Sequence, residues 1–137
     1  MFSPRVEGAG LSGRQVMILS AYGLVLWFLA ALAIRYGTPA GLFGRSANIV
    51  AYAVTAPGSF LLASSSARWA QLRPGQILAG VTVASVAGLG GDGVAIAWLP
   101  RLYGDDATAA LPGIAWLSFG VAASLVWAFW LDRKASL

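Results

Sequence analysis

The chain has 137 residues, of which 58% are hydrophobic and 10% charged, with nine Lys and Arg against five Asp and Glu and a mean hydropathy of +0.74. A soluble domain carries about 25% charge, so this composition excludes a water-covered globule. Neither Cys nor His occurs, which removes disulfides, thiolate nucleophiles, His-ligated haem or zinc and every imidazole-dependent triad.

Val16 to Ile34 is the first uninterrupted apolar block, set between Arg14 and Arg35. At about 1.5 Å per residue it just crosses the roughly 30 Å hydrocarbon layer, and it reads as a first membrane helix. The competing reading is a secretory leader, because Arg5 and Arg14 precede the block and Ala31-Leu32-Ala33 looks like a cleavage site. Within it, Tyr22 and Trp27 read as packing aromatics, with contact to a pigment, quinone or lipid as the other reading.

The second block, 47–67, holds Pro57-Gly58 near its middle and Ser64-Ser65-Ser66 near its end. Proline lacks an N–H and frees a carbonyl, so a kink is expected at Pro57, with neighbouring helices or hydroxyls satisfying the exposed group. Asn48 and Thr55 are polar side chains able to hydrogen-bond across helices.

The third block, 77–99, follows the turn signal Arg73-Pro74-Gly75 and ends at Pro100. Gly80, Ala84, Gly88 and Asp92 recur every four residues, and Ala87, Gly91 and Ala95 form a row beside them. Small side chains at this spacing let helix backbones approach closely, which drives association where lipid is as apolar as leucine. The run Gly88 to Gly93 also matches G-x-G-x-x-G, but that fingerprint needs a strand before it and a helix after it. Inside an apolar block it reads as packing, with a local loosening of the helix.

The fourth block, 109–131, carries Pro112 in its first turn, where proline is tolerated, and ends at Asp132-Arg133-Lys134. Trp116, Trp127 and Trp130 sit towards its ends, as aromatic belts do. Gly120, Ser124 and Ala128 make a small-residue row that is expected to meet the one on the third helix.

The fold expected is therefore all-α: a polytopic membrane protein with four transmembrane helices in an up-down bundle, one domain over 1–137 with an N-terminal tail at 1–15. Arg5, Arg14, Arg68, Arg73, Arg133 and Lys134 fall at one end of such a bundle and Arg35, Arg45 and Arg101 at the other. The positive-inside rule then puts both termini in the cytoplasm. Anionic lipid accounts for the net charge of +4 without nucleic acid.

Asp92 is the only acid within any block. An acid at a helix centre costs roughly 2.5 to 3.5 kcal/mol on insertion scales, so it needs a partner, a proton or water. Arg35 ends the first helix on the same side, and an intramembrane ion pair between Arg35 and Asp92 is the expectation. Asp92 then serves as a structural clasp, or else as a site that gains and loses a proton.

Gly23 to Arg35 (GLVLWFLAALAIR) and Gly91 to Gly104 (GDGVAIAWLPRLYG), with the Gly- and Trp-rich helix that follows, resemble the small bacterial membrane proteins grouped as domain of unknown function 5367. The resemblance spans about two thirds of the chain. The Ser-rich end of the second block and the long N-terminal tail depart from it. It implies a four-helix bundle with Arg35 and Asp92 at corresponding positions, and it brings no reaction.

Nothing in the sequence forms a phosphate loop, a metal cluster or a paired-carboxylate site, and the loops are too short for a lid. The expectation is a non-catalytic accessory or packing subunit without a cofactor, its partners being the lipid bilayer and other membrane proteins or further copies of itself. The alternative is a small proton- or cation-coupled transporter using Asp92.

Overall fold

The structure is a computed structural model and describes residues 10–135 and 137. Residues 1–9 of the expected tail, Arg5 among them, lie outside the described residues. The elements are α1 (Gly13–Gly37), α2 (Arg45–Trp69), α3 (Ile77–Trp98), a short 3-10 turn at Pro100–Tyr103 and α4 (Ala107–Ala135). All four α-helices are long and apolar enough to cross a membrane. The protein is an all-α, up-down four-helix bundle.

Three of the helices, α1, α2 and α4, overrun the apolar blocks. α1 begins at a capping box, in which Ser12 Oγ accepts from the Gln15 N–H and Gln15 Oε1 accepts from the Ser12 N–H; this satisfies two amides that would otherwise be orphaned. Its 25 residues measure about 37 Å, enough to reach both headgroup zones. α2 runs through Pro57 without interruption. Around it Thr55 Oγ1 donates to Ala51 O at 2.7 Å and Ser59 Oγ to Thr55 O at 2.7 Å, so hydroxyls stitch the helix on either side of the proline. α3 likewise stays helical through Gly88 to Gly93, without the loosening that its glycines suggest.

The helices that touch most are parallel and not consecutive: α1 lies along α3, and α2 along α4. α3 and α4 join the two pairs, while α1 and α2 touch least. This corrects the expected meeting of the two small-residue rows. The row Gly80, Ala84, Gly88, Gly91 faces α1. A Cβ on Gly23 of α1 would fall 2.1 Å from Ala84 O, and one on Gly91 would fall 2.7 Å from the Trp27 ring. Only glycine permits those approaches. The α4 row turns chiefly to α2: a Cβ on Gly120 would meet Thr55 at 3.4 Å, and Ser59 Oγ reaches Gly120 O at 3.4 Å. Ser124 is buried with its hydroxyl on Gly120 O, and Ala128 shares a small core with Ala63 of α2 and Val81 of α3.

Trp116 and Trp127 depart from the expected belt. Their indoles turn inward, donating to Thr55 Oγ1 and to Ala56 O, each at 2.7 Å. In hydrocarbon an indole N–H finds no acceptor outside the protein, so a carbonyl or hydroxyl on the adjacent helix wins. Trp130 stays exposed with Lys134 4.5 Å from its ring centre.

One end of the bundle is tied by side chains reaching backbone. At the end carrying the termini, Asp132 of α4 accepts from the amides of Gly75, Ile77 and Leu78 at 2.7–3.1 Å, capping α3. Gln15 of α1 donates to the carbonyls of Ala70 and Gln71 just after α2.

Candidate functional site

Asp92 lies on α3 six residues before Trp98, about 9 Å from that helix end, and is 7% exposed. The small residues around it explain why it can sit there. Gly88 and Gly91 leave room for the Trp27 ring to lie across α3, and this brings the indole Nε1 to 2.8 Å from Asp92 Oδ1. The second donor comes from the turn after α3. Pro100 starts the 3-10 turn and Gly104, at φ +135, lets the chain leave it; glycine alone adopts that conformation without strain. The turn folds Tyr103 back into the bundle, 2% exposed, with its hydroxyl donating to the same carboxylate oxygen. Trp27 Nε1 also lies 3.2 Å from the Tyr103 hydroxyl, closing a three-membered cluster that joins α1, α3 and the turn.

The expected ion pair between Arg35 and Asp92 is not formed. Parallel packing sets residues of α1 level with residues 61 further along on α3, as Gly23 with Ala84 shows. Arg35 therefore sits one turn, about 6 Å, beyond Asp92 towards the helix ends. Its guanidinium donates to the Arg101 backbone carbonyl, reaching for the polar end of the bundle as long basic side chains do. At the last turn of α1 its charge also complements the helix dipole. The donors on Asp92 are instead an indole and a phenol, both neutral. Hydrogen bonds to a buried polar group offset the cost of taking it out of water, and Asp92 receives two.

Burial first, and the Asp92 hydrogen bond second, push the Tyr103 phenol above its usual range, while the Trp27 indole acts in the opposite direction. Tyr103 is thus held as a neutral donor. The cluster holds a single carboxyl group, with both donors on the same oxygen. Among the described residues no three acidic side chains converge.

Beside the cluster, towards the end carrying the termini, a cavity of about 160 Å³ lies between all four helices. Trp27 belongs to both: its indole nitrogen is on Asp92 while its ring helps line the cavity with Leu26, Ala63, Ser85, Trp116 and Val121. Of the polar side chains singled out in the sequence, Thr55 bridges to Trp116, whereas the buried Asn48 Oδ1 accepts no hydrogen bond. Gly23, Tyr103, Asp132 and Gln15 also join the elements, and the apolar periodicity points to none of them. The capping-box spacing of Ser12 and Gln15 was readable; the reach of Asp132 to another helix was not.

No family model, curated protein or solved structure matches this chain.

Proposed function

We propose that the protein is a non-catalytic integral membrane subunit of a bacterial inner membrane, with both termini in the cytoplasm, in which Asp92 is a structural clasp and the outer face of α3 packs against other membrane proteins or a second copy of the chain. The observation that carries this reading is the Trp27–Asp92–Tyr103 cluster, where a lone buried carboxylate is held by two neutral donors on two other segments. Such a cluster fixes which elements meet. On the opposite side of α3, Gly90, Gly93 and Ala97 are exposed, and a Cβ on either glycine would meet nothing; that face has room for a further helix at close range. The resemblance to the four-helix family noted above accords with this reading.

The absence of native cysteine makes the test direct. Gly93→Cys in native membranes, treated with a short bismaleimide, is expected to give a discrete cross-linked species, whereas Val54→Cys on the exposed side of α2 is not. A cross-link to a second copy identifies a homo-oligomer and one to another protein an accessory role. No species from Gly93→Cys overturns the reading.

One observation favours a second reading, a proton- or cation-coupled transporter: Trp27 connects the carboxylate to the cavity wall. Proton-coupled uptake into vesicles that is abolished in a folded Asp92→Asn variant supports it, and retained coupling rejects it.

A further inference from the structure

The cavity between the helices has walls with almost nothing to offer water. Thr55 Oγ1 accepts from Trp116 and donates to Ala51 O, Ser66 and Ser124 donate to Ala63 O and Gly120 O, and the Tyr22 hydroxyl faces Leu62 O and Ser65. The Trp27 and Trp116 N–H groups are likewise engaged, and the remaining lining hydroxyl, Ser85, is one partner where a water needs at least two. A buried water needs two to four polar partners, and an apolar cavity of about 150 Å³ stays dry and accepts a benzene-sized molecule. The cavity here, about 160 Å³, therefore suits roughly six carbon atoms.

Its position says what those atoms belong to. α1 and α2 are the pair of helices that touch least. Their side chains meet where Tyr22 bonds to Leu62 and Ser65, and Leu62, 37% exposed, is part of the cavity lining. The seam lies within the membrane-crossing lengths of both helices, so what reaches it from outside is hydrocarbon.

We propose that this cavity is a binding site for the end of one hydrocarbon chain of a membrane lipid, entering sideways between α1 and α2 and ending against Trp27 and Trp116. A chain end supplies the dispersion contacts that an empty void forfeits. The rest of the chain lies in the bilayer, so no polar group has to be buried. Two sources share this chemistry, the acyl chain of a phospholipid and the chain of an isoprenoid.

The test uses the full chain reconstituted in phosphatidylcholine vesicles. In one arm the phospholipid carries a diazirine near the end of an acyl chain, and in the other a polyprenyl alcohol carries it. After irradiation, adducts are mapped by peptide mass spectrometry. Exposed Val54 and Val86 report ordinary lipid contact, and cavity-lining Ala63, Ser85 and Val121 report occupancy. Adducts on the cavity residues are expected in at least one arm, which identifies the source. They are expected to fall at least tenfold in Val121→Phe and in Ser85→Leu, whose added bulk fills the space, while labelling of Val86 persists. Should one filling variant fail to fold, the other and the wild-type map still decide. Labelling confined to the outer faces in both arms, or interior labelling unchanged in a folded filling variant, overturns the proposal.

Discussion

Trp27 Nε1 donates to Asp92 Oδ1 at 2.8 Å across the interface of the parallel helices α1 and α3. The bond exists because Gly91 lets the indole lie flat on α3, and because Tyr103, brought back by the 3-10 turn, shares the same acceptor. Removing the acceptor should therefore hurt more than neutralising it. Asp92→Leu leaves two buried donors without their carboxylate, at a cost of about 1–3 kcal/mol. Asp92→Asn keeps an oxygen acceptor and should cost less. Unfolding free energies in micelles, followed by far-UV circular dichroism, check the ranking; equal losses contradict it.

The close crossing of α1 and α3 makes a second, purely steric prediction. Gly23→Ala places a methyl group against the Ala84 carbonyl, where backbone has to move, and overpacking of this kind costs about 1–3 kcal/mol or more. Gly58→Ala meets nothing within 4 Å, and because alanine favours a helix interior over glycine by roughly 0.5–1 kcal/mol, it should not destabilise. Thermal unfolding of the two variants side by side is the measurement.

Asp132 caps α3 from the far end of α4. Asp132→Ala removes the acceptor from three amides and should destabilise by about 0.5–2 kcal/mol, the usual loss for a helix cap. The local signature is faster hydrogen exchange at Ile77 and Leu78 than at mid-helix amides. Unchanged exchange there would show that the cap is dispensable.

Tyr103 predicts a pH dependence at the alkaline end. Its phenol is raised in the folded protein by burial and then by Asp92, so the folded state keeps the proton more tightly than the unfolded chain, where tyrosine titrates near pH 10. The stabilisation is complete below about pH 10 and is lost as pH rises from there through the higher folded value. Stability measured from pH 8 to 12 should fall more steeply in wild type than in Tyr103→Phe. A component of the phenolate absorbance that rises only above the ordinary tyrosine range should be present in wild type and absent in Tyr103→Phe.

Apolar block length and turn residues made the four helices readable, because hydrocarbon thickness fixes a narrow range of span lengths. That Asp92 is buried against protein was also readable, from the four-residue recurrence of Gly80, Ala84 and Gly88 on its face. Which helix that face meets was not. Periodicity gives the direction of a face along its own helix and says nothing about order around the bundle, so it does not choose between Gly120, Ser124 and Ala128 of α4 and the actual partners, Gly23 and Trp27 of α1. The ion pair failed for a related reason. Arg35 and Asp92 lie at the same end of the bundle, but the offset of α1 on α3 leaves a turn between them, and that offset is set by where Gly23 meets Ala84. Tyr103 was hidden because its inward course depends on a short turn and a positive-φ glycine.

If the Asp92 carboxyl group clasps α1 to α3 through Trp27, the two side chains must be energetically coupled. A double-mutant cycle on unfolding free energy in lipid bicelles, using Trp27→Phe and Asp92→Leu, tests it most directly. A coupling energy of about 0.6 kcal/mol is expected, the average for hydrogen bonds between membrane helices, whose maximum is about 1.7 kcal/mol. Single-variant losses that add to within about 0.3 kcal/mol would contradict it.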